Sequence, residues 1–201
     1  MQKILCFGDS NTYGYIPKTG KRYDKDTRWS GILKTKLSGK YEVIEAGCNN
    51  RNGFIDSIDG VEFTGYKVLP KYLEEKPDIV ILAIGINDVQ KFYKPTPDII
   101  KRGLELMCKT ILKTGAKLIL IAPPVLNDDV LKSNFSFQFD EQSIETSKVL
   151  PDIYKLTATE LNCGYIDMNE YTKVSSEDGL HYSPQSHEII ANTIYNYIIN
   201  L

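Results

Sequence analysis

Lys3-Ile4-Leu5-Cys6-Phe7-Gly8-Asp9-Ser10-Asn11-Thr12 passes from a short apolar run straight into small and polar residues. An apolar run without polar alternation, stopped by glycine, is the pattern of a strand covered on both faces. Comparable runs follow at Tyr41–Ala46, Asp78–Ile84, Lys117–Ala122 and Gly164–Asp167. Between them lie segments of helical period at about residues 29–37, 65–75, 96–114 and 144–162, and a last one closes the chain at about 184–199. Thr96-Pro97 and Ser183-Pro184 each offer a hydroxyl N-cap followed by proline at the first helical position, where its missing N–H costs nothing. Strands and helices in alternation predict an α/β fold with a central five-stranded parallel sheet and helices on both faces.

The remaining properties fit one such domain over residues 1–201. A chain of 201 residues, 42% of them hydrophobic, can close one sizeable core, and no repeat or Pro/Gly-rich linker divides it. The long irregular stretch is Pro123–Ser143, with Phe135, Phe137 and Phe139 in it, and such a loop is expected to be a lid or a subunit contact. A net charge of −2 with both signs interspersed gives no basic stripe for a nucleic-acid backbone. The opening apolar run is too short for a signal-peptide core and no later stretch is long enough to span a bilayer, so a soluble cytoplasmic protein without a membrane partner is expected. Cys6, Cys48, Cys108 and Cys163 are widely spaced and only two histidines accompany them, so reduced thiols and no metal site are expected.

In open parallel sheets ligands bind beyond the carboxyl ends of the strands. The residues found there are Gly8-Asp9-Ser10-Asn11-Thr12, Gly47-Cys48-Asn49-Asn50-Arg51, Gly85-Ile86-Asn87-Asp88 and, past the fifth strand, Asp178-Gly179-Leu180-His181. Of the two histidines, His181 has a carboxylate three residues before it, close enough to hold Nδ1 and leave Nε2 free for a serine proton. His187 falls in the closing helix with no such neighbour. Ser10 sits where a strand-to-helix turn pushes a hydroxyl into the crevice; a helix N-cap is the other role a serine there could fill. Asn87 can donate its amide to a developing oxyanion, with Gly85 keeping the backbone close.

The segments Ile4-Leu5-Cys6-Phe7-Gly8-Asp9-Ser10, Gly85-Ile86-Asn87-Asp88 and Asp178-Gly179-Leu180-His181 resemble, in order and spacing, three blocks of the GDSL, or SGNH, hydrolases. Thr27-Arg28-Trp29, Tyr41-Glu42-Val43-Ile44 and Ile121-Ala122-Pro123-Pro124 are similar to the small arylesterase-like branch, so the likeness covers nearly the whole chain. The resemblance implies a flavodoxin-like three-layer fold and a serine esterase or acylhydrolase acting on short, above all acetyl, esters without a cofactor. It implies Ser10 as nucleophile, His181 as base and Asp178 as its orienting partner. The oxyanion hole would comprise the Ser10 N–H, the Asn87 amide and a backbone N–H that the family usually takes from a glycine, here Asn50. Asp9 and Asp88 are expected to brace their loops through backbone N–H groups. Tyr13, Tyr15, Trp29, Arg51 and the Phe135–Phe139 loop are expected around the pocket for a small ester or acetylated sugar. Members of this branch often assemble, so a homo-oligomer is expected without a fixed number.

Two other classes remain open at this stage. Ser10-Asn11-Thr12-Tyr13-Gly14 after a strand could cradle the phosphate of a flavin or nucleotide, though neither common phosphate-binding fingerprint is present. An inactive ester- or glycan-binding module would keep the fold without the turnover.

Overall fold

Each of the five apolar runs forms a strand in the computed structural model, which describes Met1–Leu201. The strands are β1 (Gln2–Gly8), β2 (Tyr41–Gly47), β3 (Ile79–Ala83), β4 (Lys117–Ile121) and β5 (Gly164–Ile166). They lie in one parallel sheet of order β2-β1-β3-β4-β5. Ile4 is level with Val43 on one side and Ile79 on the other, and Leu120 is level with Tyr165. This is the flavodoxin-like order expected from the resemblance. The chain builds outward to β2, then crosses back over β1 to β3, so the carboxyl ends of β1 and β3 flank the switch point where such folds open a crevice.

Six helices cover the sheet: α1 (Ser10–Tyr13), α2 (Trp29–Lys36), α3 (Gly65–Leu73), α4 (Pro97–Leu112), α5 (Glu141–Leu161) and α6 (Pro184–Ile199). Because side chains alternate across a strand, Leu5, Phe7, Val80 and Leu82 pack under α3, α4 and α5, while Ile4, Cys6, Ile79 and Ile81 pack under α2 and α6. Both sides are dry, which explains strands that are apolar throughout. The Thr96 and Ser183 caps form as expected, accepting from the backbone N–H of Ile99 and Ser186 at 3.3 and 3.2 Å. All four cysteines are free, and Cys6 and Cys108 are buried.

Two features differ most from the sequence expectation. α5 begins at Glu141, three residues earlier than the apolar period suggests, because Asp140 and Ser143 close a capping box in which each side chain accepts the other's backbone N–H. The stretch before it is also less irregular than its composition implies. A 3-10 turn spans Asp128–Lys132, the Asn127 N–H donates to Gly179 O at 3.3 Å, and the Lys91 N–H donates to Gln138 O at 2.8 Å. This segment is therefore pinned to the loops on either side of the crevice.

Candidate active site

β1 delivers Ser10 through a turn with almost no spare room. A Cβ on Gly8 would stand 2.1 Å from Thr12 Oγ1 and 2.3 Å from Ala83 O, so only glycine lets the turn fold back against β3. Asp9 then caps the one-turn α1, its Oδ1 accepting the Asn11 N–H at 2.9 Å. The sequence treats Ser10 as either a cap or a nucleophile; here the cap is Asp9, and Ser10 opens the helix with its hydroxyl free for another partner. Its backbone N–H belongs to the first turn, where amides have no acceptor inside the helix.

That partner is His181, whose Nε2 lies 2.9 Å from Ser10 Oγ. On the other side of the ring, His181 Nδ1 lies 2.8 Å from Asp178 Oδ2. Asp178 Oδ1 accepts the backbone N–H groups of Leu180 and His181 at 3.1 and 2.9 Å, so one oxygen shapes the loop and the other meets the imidazole. Burial acts to raise the Asp178 carboxyl, but the bond and charge of His181 and these backbone donors outweigh it, and its pKa is lowered. Tyr15 stacks on the imidazole, with ring centroids 4.2 Å apart and planes 28° from parallel, and Phe135 leans on it at 5.1 Å.

Asn11 fixes the loop carrying His181 to the turn carrying Ser10. Its Nδ2 donates to Leu180 O and its Oδ1 accepts the Tyr182 N–H, both at 3.2 Å, bracketing the histidine from both sides. In the sequence the only signal of this role is its position beside Ser10.

The donor side of the site comes from the loops after β2 and β3. Asn87 Nδ2 donates one proton to Arg51 O at 3.0 Å, and the side chain lines the same cleft as Ser10 and His181. Asn50, also on this cleft, adopts left-handed backbone angles with φ at 56°. Asp88 joins the two loops: its carboxylate accepts the N–H groups of Gly53, Phe54 and Ile55 at 2.5, 3.0 and 2.8 Å. Asp9 and Asp88 thus brace backbone as expected, and burial raises both carboxyls to about 7. Gly85, at φ 122°, brings the end of β3 close beneath Tyr154.

The open cleft above Ser10 measures ~230 Å³ and is lined by Tyr15, Asn50, Asn87, Phe135, Phe137 and Gln138 among others. Four residues expected there lie elsewhere. Trp29 is buried, donating its indole N–H to Asn11 O at 3.1 Å. Arg51 is buried under the strand ends, donating to Gly8 O and Ala46 O at 3.1 and 2.7 Å. Tyr13 is covered by the Arg22 guanidinium. Phe139 is likewise core rather than cleft. Strand-end position alone does not distinguish a side chain that points into the crevice from one that braces it underneath.

His187 is fully buried, its Nδ1 accepting the Trp29 N–H at 3.3 Å, and burial together with the His181 charge lowers its pKa to about 3. It is a neutral structural group joining α6 to α2. No cluster of three or more His, Cys, Asp or Glu side chains is arranged to hold a metal ion, and no helix is long and apolar enough to cross a membrane.

Comparison with known proteins agrees with this fold. Residues 6–189 match the GDSL-like lipase/acylhydrolase family. A carbohydrate acetylesterase from Sinorhizobium meliloti is similar in structure at TM-score 0.89 and 26% identity, covering 100% of this chain and 99% of that one. A lipase/acylhydrolase from Enterococcus faecalis is similar at TM-score 0.72 and 26% identity over 98% of this chain and 95% of that one. The aryl esterase of M. smegmatis shares the fold at TM-score 0.93 and 24% identity, covering 100% of both chains. Among curated sequences, the protein named Uncharacterized lipoprotein YqeF of Bacillus subtilis (strain 168) is 26% identical over 124 residues, 60% of this chain. The match spans about half, 47%, of that relative's length. A five-stranded parallel sheet of this order, the strand-end blocks and a family match over almost the whole chain lead to one assignment: the chain belongs to the GDSL-like lipase/acylhydrolase family, a family of carboxylic ester hydrolases.

Proposed function

We propose that this chain is a serine esterase that removes short acyl groups, acetyl foremost, from small alcohol, aryl or sugar esters. The observation that carries the reading is the unbroken line Ser10 Oγ, His181 Nε2, His181 Nδ1, Asp178 Oδ2, with contacts of 2.9 and 2.8 Å, at the floor of an open cleft. Ser10 is the nucleophile, His181 the general base and Asp178 the group that fixes its tautomer. As Ser10 Oγ bonds to the ester carbon, its proton passes to His181 Nε2 and the carbonyl π pair moves onto oxygen. The Ser10 N–H, the Asn50 N–H and the free proton of Asn87 Nδ2 receive that charge. Collapse expels the alcohol, which takes the proton from Nε2, and water then releases the acyl group by the same steps in reverse.

Cleft size supports a short acyl group. At ~230 Å³ it lies below the roughly 300–1,000 Å³ usual for drug-sized ligands. The acetylesterase relative supports the same choice. A single domain acting in the cytoplasm, alone or as a homo-oligomer, is part of this reading. The test is a fluorophosphonate adduct mapped by peptide mass spectrometry, followed by a series of nitrophenyl esters of increasing chain length. An adduct on Ser10 and a kcat/KM that falls beyond the shortest esters are expected. Labelling elsewhere, or preference for long chains, would sink the assignment.

A further inference from the structure

The polar side chains beside the oxyanion site are joined in a chain in which each amide dictates the orientation of the next. Asn50 Nδ2 donates to the Asp59 carboxylate, which can only accept. Asn50 Oδ1 must therefore face inward as an acceptor. It meets Gln90 Nε2 at 2.9 Å and Gln138 Nε2 at 3.3 Å. Gln90 consequently presents its NH₂ to this side, and the same Nε2 lies 3.2 Å from Asn87 Oδ1. With its oxygen held there, Asn87 can turn only its NH₂ toward Arg51 O and the cleft. Gln90 is buried and Asp59 is exposed, so a charge at the surface fixes the polarity of an amide in the interior.

We propose that Asp59, Asn50 and Gln90 form an amide relay that orients the oxyanion hole, with Gln90 a positioning residue for Asn87 and for the Asn50 backbone. The inference rests on the reading of Asn87 and Asn50 as oxyanion donors. It also gives a reason for asparagine at this left-handed position. A glycine reaches left-handed angles freely but holds them loosely; Asn50 accepts a modest backbone strain and is held at those angles by three side chains from three separate loops. A hole oriented in advance loses nothing to reorganisation when charge develops.

The experiment measures kcat and KM on nitrophenyl acetate for Gln90→Leu, Asp59→Ala, Asn87→Ala and the Gln90→Leu/Asn87→Ala double variant. Thermal melting and fluorophosphonate labelling of Ser10 report the fold. Losing one oxyanion donor typically costs roughly a hundredfold to a thousandfold in kcat, and Asn87→Ala should fall in that range. Gln90→Leu should lose about tenfold and Asp59→Ala, which removes the acceptor for Asn50 Nδ2, at least about threefold, with KM within about twofold, as for a contact that matters only in the transition state. In the Asn87→Ala background, Gln90→Leu should cost little more, because its target is gone. A wild-type kcat in Gln90→Leu or Asp59→Ala, or a fully multiplicative loss in the double variant, overturns the relay while leaving the oxyanion hole intact. A wild-type kcat in Asn87→Ala instead overturns the underlying assignment of the hole. Should Gln90→Leu fail to fold, Asp59→Ala, at an exposed position, decides alone.

Discussion

Asp178 illustrates how much depends on single atoms. Its Oδ1 is committed to two backbone N–H groups, so only Oδ2 is available to His181. Asp178→Asn keeps the shape but presents an NH₂ to one of these partners, and a donor facing Nδ1 favours the tautomer with its proton on Nε2, useless as a base toward Ser10. In a protease triad the equivalent change lowers kcat by about 10⁴. A similar loss is expected here with little change in melting temperature; a loss of less than tenfold would show that Asp178 does not set the tautomer. Gly85 makes the opposite prediction. A Cβ there would lie 2.3 Å from Tyr154 Oη, which itself donates to Ile84 O, and the backbone sits at φ 122°. Gly85→Ala should cost roughly 1–3 kcal/mol or more in urea unfolding, since overpacking and backbone strain add.

The elements meet the site through their ends rather than their faces. β1 and β3 stop at the crevice, α1 opens there, and the turn before α6 carries His181, so the site inherits the rigidity of the sheet. The capping box at the start of α5 shortens the loop that brings Phe135, Phe137 and Gln138 over the cleft. Asp140→Ala removes the acceptor for the Ser143 N–H, and a loss of about 1 kcal/mol in stability is expected. If that turn frays, Gln138 should also lose its hold on Asn50 and kcat should fall modestly; an unchanged melting curve would count against the cap.

For the molecule as a whole, four buried titrating groups shape stability against pH in opposite senses. Asp9 and Asp88 have folded pKa values raised to about 7 by burial, so the folded state binds more protons than the unfolded one between about pH 4 and 7. Their contribution is fully present below about pH 4 and is lost as pH rises to about 7. His187, lowered to about 3, acts the other way: its contribution is present above about pH 6.5 and is lost as pH falls toward 3. Asp178, also lowered, adds to the loss at the acid end. Asp9→Asn keeps an acceptor for the Asn11 N–H and removes one titration, so stability should decline less from pH 4 to 7. His187→Asn keeps an acceptor near the Nδ1 position, and its stability should decline less from pH 6.5 to 4. Urea unfolding at several pH values checks both, and slopes unchanged from wild type would contradict the assigned burial.

What the sequence determined by itself is what short-range energetics can encode. Strand and helix alternation, the Thr96 and Ser183 caps, the Ser10 turn and the Asp178 to His181 spacing all depend on neighbours within a few residues, and each was legible as a local pattern. The tertiary structure decided which polar side chains meet. Gln90 finds Asn50 from 40 residues away, and Gln138 finds it from 88, because the strand order brings the loops after β2 and β3 together and the segment before α5 folds across them. Nothing local distinguishes such glutamines from solvated ones. The same reason separates Tyr15, which stacks on the His181 imidazole, from Trp29 and Arg51, which are buried and donate to the backbone carbonyls of Asn11 and Gly8: the side of the sheet and the depth of packing are set only when the layers close.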